Sequence, residues 1–223
     1  MGLRRAVSEA INWFFKHEAA GIILEDDCVP DLTFYRFCGE MLQRYQDDER
    51  IMSISGVNFQ PYRRTNYSYY FSRYLHCWGW ATWAGAWSHF DRYLDHWPDL
   101  AVMSDRFDLP EERSYWNNIF NQVKKGNIDS WAYVWFYCML RQNGLSIIPE
   151  VNLVSNIGFG SEGTHTLDSD DPWASRPLNS LKWPLKHPPS VVRSEKADRY
   201  TYRHHYSRSI WHRIKHRLAT WLK

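Results

Sequence analysis

The chain of 223 residues has few cysteines, no long apolar run and no marked excess of either charge. Cys28, Cys38, Cys77 and Cys138 are scattered without a CxxC pair. That pattern signals neither a zinc site nor a disulfide framework and leaves reduced, partly buried thiols as the plain reading. No stretch approaches the roughly 20 apolar residues that a membrane-spanning helix needs. Arg4 and Arg5 near the start are not followed by the apolar segment of a secretory signal, so a cytoplasmic location is expected. Lys and Arg number 27 against 25 Asp and Glu, a net charge of +2 that gives no electrostatic ground for binding nucleic acid. With 44% hydrophobic and 23% charged residues, the balance excludes a disordered or collagen-like chain.

What the chain does have in abundance is aromatic side chains, 17% of the total, with 13 Trp and 14 Tyr. Aromatic surfaces bind sugar rings, and Trp and Tyr also fill ordinary cores, so composition leaves both uses open. Charge is concentrated at one end: from Arg203 to Lys223 there are six Lys/Arg, four His and no acid. Within that stretch Ile210, Trp211, Ile214, Leu218, Trp221 and Leu222 share one helical face. A basic helix of this kind suits either the inner face of an anionic membrane, contacted through residues 208–223, or docking on its own domain.

Ala6, Val7, Ala10, Ile11, Phe14 and Phe15 recur at helical spacing, and Gly21-Ile22-Ile23-Leu24 then reads as a short buried strand. Asp31 precedes a second helical pattern running from Phe34 to Tyr45, and Ile51 to Val57 alternates like another strand. This is the strand-helix-strand unit of a mostly parallel sheet, whose two strands should lie close together. Further on, Tyr69–His76 is expected as a strand, Ala81–Tyr93, Pro110–Lys125 and Trp131–Gln142 as helices, and Leu145–Ile148 as the last strand. The stretch from 168 to 200 begins with a run rich in Asp, Ser and Pro and reads as an irregular linker. The expected organisation is a domain over 1–167, that linker, and a basic amphipathic helix over 201–223.

Three segments are candidates for chemistry. Glu25, Asp26 and Asp27 follow the apolar strand directly, at the carboxyl end where open α/β sheets bind ligands. Adjacent acids repel unless a cation compensates, and a divalent metal holding a diphosphate would do so; the plainer use of Asp27 or Asp31 is to cap the next helix. His76 to Trp83 places three tryptophans around Gly79, which would allow a flat aromatic wall or simply a core cluster. Ser155 to Thr166 contains three glycines with Thr164 and His165, consistent with a loop over phosphate oxygens or with a structural hairpin.

Ile22 to Cys28, the Trp78–Trp83 segment, Trp131-Ala132-Tyr133-Val134-Trp135, and Asn152 to Gly158 followed by Gly163-Thr164-His165 together resemble bacterial nucleotide-diphospho-sugar transferases. These have the GT-A glycosyltransferase fold and are distantly similar to the Golgi N-acetylglucosaminyltransferase of hybrid N-glycan synthesis. The resemblance spans about Leu3 to Thr166. It implies a Rossmann-related, GT-A-like α/β fold with a mixed, mostly parallel sheet flanked by helices. It also implies a metal-dependent, inverting transfer of a sugar from a nucleoside diphosphate, a UDP-sugar first among them, to a glycan acceptor.

On that resemblance Asp27, with His165, would hold Mn²⁺ or Mg²⁺, while Glu25, Asp26, Gly163, Thr164 and His165 would meet the donor. Trp78, Gly79 and Trp80 would lie on the acceptor side. The chain departs from the pattern in two places. Ala132 stands where the family often has an acid, which leaves Asp129 or Glu162 as catalytic base. The chain also opens on a helix where the family has further N-terminal strands for the nucleotide base, so a truncated, non-catalytic remnant acting as a binding or membrane-associated module is the alternative expectation.

Overall fold

A computed structural model of the chain describes residues 2–158 and 176–207. Helix α1 (Leu3–Phe14) leads into β1 (Ala20–Ile23), and the acidic turn follows before β2 (Cys28–Pro30) and α2 (Leu32–Arg44). Then come β3 (Ile51–Ser55), β4 (Tyr69–Ser72), β5 (Trp80–Trp83) and the single-turn helix α3 (Ala84–Trp87). Helices α4 (Leu100–Asp105), α5 (Pro110–Lys124) and α6 (Trp131–Arg141) precede β6 (Leu145–Pro149) and β7 (Val154–Asn156). Helix α7 (Glu195–Thr201) continues into a π-helical turn over Tyr202–Tyr206.

The strands form a five-stranded sheet of order β1-β5-β3-β6-β4 and a separate β2-β7 ribbon. The protein is therefore mixed α/β with a mixed sheet, but the expectation of mostly parallel pairing is corrected. Only β3 and β6 pair in parallel; β1-β5, β5-β3 and β6-β4 are antiparallel. The strand-helix-strand unit exists, yet β1 and β3 are not hydrogen-bonded neighbours, because β5 inserts between them. That strand overlaps the start of the region expected to be helical from Ala81. Its four residues are too short to alternate visibly, and the apolar spacing that follows continues only into α3 and irregular turns. Beyond β6, where the sequence pattern predicts no further strand, the chain adds β7.

Helices cover both faces of the sheet. On one, Phe34, Phe37, Cys38 and Met41 of α2 pack against Ile51, Ile54, Phe71 and Ile147. Asp31 starts α2 by accepting a hydrogen bond from the Thr33 amide at 2.8 Å, and the i, i+3, i+4, i+7 spacing puts all four apolar side chains on the sheet. Leu181 and Leu185, from the irregular stretch between 176 and 194, are buried in the same layer. On the other face α1, α5 and α6 form an aromatic core with Trp80, Trp116, Trp131, Trp135 and Phe136. Helix α6 is built largely of aromatic residues, each costing a few tenths of a kcal/mol in helix propensity. Burying one such side chain contributes about 1.5–3 kcal/mol, and Trp131 and Val134 through Leu140 are all buried, so packing decides the conformation. The Ser130 hydroxyl caps its start by accepting from the Tyr133 amide, and Asn143 at φ 56° followed by Gly144 ends it.

The far edge of the sheet is closed by α7 through a buried ionic cluster. Asp198, 1% exposed, accepts from the Ser72 hydroxyl at 2.5 Å and the Arg73 amide at 3.2 Å. The Arg73 guanidinium lies 3.8 Å from Asp198 and 3.1 Å from Asp108. Arg193 joins Asp198 at 3.4 Å, and the Tyr74 hydroxyl donates to Glu112. After α7, Tyr206 packs on Trp116 and Tyr74, so the chain is docked on its domain up to this point. The basic face from Ile210 onward lies outside the described residues.

Burial pushes both Asp198 and Glu112 up to about 7, against the pull of their hydrogen bonds and of Arg73. A carboxyl whose folded value is raised binds more protons folded than unfolded, so stability should fall as pH rises from about 4 to about 7. Each group contributes up to about 1.4 kcal/mol per pH unit in that window. Urea unfolding is expected to show higher stability near pH 5.5 than near pH 8, and Asp198→Asn, which keeps the acceptor for Ser72, should remove roughly half of that slope.

Candidate functional site

The acidic triplet is the joint between the two sheets. Strand β1 ends at Ile23, Glu25-Asp26-Asp27 forms a tight turn closed by the Cys28 amide on the Glu25 carbonyl at 3.1 Å, and β2 then joins the ribbon. The Ile157 amide donates to the Asp27 carbonyl at 2.9 Å, extending the β2-β7 ladder to the turn. Asp27 is thus held through its backbone, and its half-buried carboxylate is left to the site. Its side-chain neighbours are the Cys28 thiol, donating at 3.5 Å, and Gly158. A Cβ at Gly158 would lie 2.3 Å from Asp27 Oδ2, so only glycine permits this approach. None of the three carboxylates has a Lys, Arg or His partner among the described residues.

Glu25 differs from its neighbours. It is half-buried, and its carboxylate accepts a hydrogen bond from the Trp131 indole at 3.3 Å, across 106 positions of sequence. Burial raises its affinity for a proton, the charges of Asp27 and Asp26 add to the rise, and the Trp131 bond opposes it. Burial also pushes the Cys28 thiol up to about 12 and raises Cys77, which feels the charge of Glu25. Both are free thiols and remain protonated at neutral pH, so neither serves as a thiolate ligand or nucleophile there.

Of the two uses open to the tryptophan segment, a flat wall and a core cluster, the structure shows packing into the layers on either side of the sheet. Within β5 side chains alternate, so Trp80 enters the aromatic core and Trp83 packs on the opposite layer, while Trp78 precedes the strand and, across the positive-φ Gly79, joins the layer of Trp83. Trp80 is fully buried and stacks on Trp131 at 5.4 Å and 21°, which makes it core and removes it from any acceptor surface. Trp78, half-buried, meets Phe59 edge-on at 5.2 Å. Gly79 has φ 63° and leaves only 2.7 Å between a hypothetical Cβ and Val154, so its role is a backbone crossing that no larger residue could make.

No protein-family model matches the chain, and no curated protein matches it either.

Of the two candidate bases only Asp129 falls among the described residues. The Asp129 carboxylate accepts from the Arg4 amide at 3.2 Å and pairs with the Arg4 guanidinium at 3.8 Å, so it secures the first turn of α1. Ala132 packs against the aromatic core. Glu162, Gly163, Thr164 and His165 lie outside the described residues. Among the described residues no group of three or more His, Cys, Asp or Glu side chains could by itself hold a metal ion, and no helix is long and apolar enough to cross a membrane.

The structure thus brings Glu25, Asp27 and Gly158 together with Trp131, whose indole the spacing of the sequence could not connect to Glu25. Replacing Trp131 by Phe keeps a ring against Trp80 and deletes only the donor. Carboxyl-carbon NMR of Trp131→Phe should show Glu25 titrating at higher pH than in the parent, and unfolding should show a stability loss of about 1 kcal/mol. An unmoved Glu25 titration would mean that the indole bond does not tune this carboxyl.

Proposed function

We propose that the chain is a metal-dependent glycosyltransferase that moves a sugar from a nucleoside diphosphate, a UDP-sugar first among them, to a glycan or other cell-surface acceptor with inversion. The observation that carries this reading is the turn itself: three consecutive carboxylates at a strand end, with no cationic partner among the described residues. Such a cluster costs stability unless something positive completes it, and a divalent cation brought in with a diphosphate would be the completion suited to hard oxygen ligands. Asp27, held through its backbone with its carboxylate presented beside Gly158, is the residue to hold Mn²⁺ or Mg²⁺. When bound, the cation would offset the charge of the departing nucleoside diphosphate.

Because the described side chains supply too few ligands for a closed metal site, diphosphate oxygens and water would complete the coordination. Metal and diphosphate should then bind interdependently, each weakly alone. Glu25 and Asp26 would meet the donor's sugar and ribose. Taking the proton from an acceptor hydroxyl calls for a carboxyl of raised proton affinity. Asp129, the candidate among the described residues, is instead engaged by Arg4 and α1. The same engagement of Asp129, with Ala132 packed against the aromatic core where an acid would be needed, favours a second reading in which the chain binds a nucleotide-sugar without turning it over.

Titration calorimetry with UDP, with and without Mn²⁺, tests the proposal. Binding is expected only with the metal, and Asp27→Asn should weaken it at least about ten-fold, the amide keeping the shape but losing the charge. The thermal midpoint of the variant should stay close to that of the parent, since the bond from Ile157 goes to the Asp27 backbone. UDP binding that survives chelation, or that Asp27→Asn leaves unchanged, would refute the metal role. Binding without release of UDP from UDP-sugars would select the second reading.

A further inference from the structure

At the edge of the sheet opposite β1, a second and unrelated site is built. The loop after β3 and the approach to α7 enclose an open cleft of about 480 Å³, lined by Tyr62, Arg63, Arg64, Arg193, Ser194 and Lys196, with Glu195 as its one acid. Two of the cations are spoken for. Arg63 pairs with Glu150, and Arg193 is clamped by Asp108 through two contacts at 3.0 and 3.1 Å, with Glu195 at 3.7 Å. Arg64 and Lys196 have no carboxylate partner among the described residues.

Arg64 is held in place nonetheless. Its Nε donates to Gln60 Oε1 at 2.6 Å and its Nη1 to the Tyr62 hydroxyl at 3.0 Å. The guanidinium lies over the Tyr62 ring at 4.2 Å and near the Tyr200 ring at 5.0 Å. Gln60, 5% exposed, is itself fixed by donating to the Ala197 carbonyl and the Thr201 hydroxyl of α7 at 3.1 and 3.0 Å. The buried amide therefore aims the guanidinium, and the N–H groups it leaves unused are those able to grip an oxyanion in a forked geometry. A side chain already immobilised loses little entropy on binding, which is what separates a prepared site from an ordinary surface arginine. Beside it Tyr62, 62% exposed, offers an aromatic face to whatever carries the anion.

We propose that this cleft binds an oxyanion carried on a sugar ring, such as a phosphorylated sugar. Arg64 and Lys196 take the charge, and Tyr62 takes the ring. The site requires no metal and is independent of the reading of the acidic turn, so either can fail without the other.

Calorimetry at low salt with glucose 6-phosphate, inorganic phosphate and glucose, each in the presence of chelator, tests it. Glucose 6-phosphate is expected to bind more tightly than phosphate, and glucose not to bind; Arg64→Gln should weaken glucose 6-phosphate at least ten-fold. Lys196→Gln, at an exposed position where folding is not at stake, should weaken it several-fold, and added salt should do the same by screening. Tyr62→Ala should weaken glucose 6-phosphate by a larger factor than inorganic phosphate, which loses only the support that Tyr62 gives to Arg64. No binding at millimolar glucose 6-phosphate, or binding indifferent to both Arg64→Gln and Lys196→Gln, would overturn the proposal. Equal affinity for phosphate and glucose 6-phosphate, unmoved by Tyr62→Ala, would overturn the sugar part of it.

Discussion

Trp131 is held at both ends of its indole, and much of the molecule is arranged around that fact. Its ring stacks on Trp80 in the middle of the aromatic core, and its N–H reaches Glu25 in the turn between the two sheets. One side chain therefore connects α6, β5 and the acidic site. A shift of α6 against the sheet would disturb the packing and the proton affinity of Glu25 together. The close packing of this core resists such shifts, since Trp80, Trp131 and Trp135 are each at most 2% exposed.

Strand β5 is the second constraint. Paired antiparallel with both β1 and β3, it carries Trp80 to one layer and Trp83 to the other, where the Trp83 indole donates to the Leu42 carbonyl at the end of α2. The crossing of Gly79 beside Val154 lets β7 come close enough to pair with β2, and that ribbon presents Asp27. The position of the acidic turn thus depends on a glycine that is remote from it in sequence.

Two groups of acids illustrate opposite solutions to the same electrostatic problem. Asp108, Glu112 and Asp198 are matched by Arg73 and Arg193, and the buried pair Asp198 and Arg73 ties α7 to β4. Burying such charges is costly, so the cluster acts less as a source of net stability than as a means of specifying where α7 sits. Glu25, Asp26 and Asp27 lie at a half-buried to exposed turn with no cation opposite among the described residues. The first arrangement is complete in itself, and the second is suited to receiving a positive partner from outside.

Periodicity and capping signals in the sequence were enough to locate α1, α2, α5, α6, β1, β3 and β6, because each is decided by short-range spacing of apolar residues and a nearby cap or break. The acidic triplet at the end of β1 was legible for the same reason: an apolar run followed by charges marks a strand leaving the core. What needed the tertiary structure was every relation across the sheet. The insertion of β5 between β1 and β3, the split of the tryptophans between layers, the capture of Asp129 by Arg4 and the indole on Glu25 all join residues distant in sequence. Local spacing cannot encode such pairings, since the same Trp-Ala-Thr-Trp run packs equally well as helix or strand until neighbouring chains offer it hydrogen bonds. The hydrogen-bond demand of the backbone, met by β1 and β3 on either side, decided it.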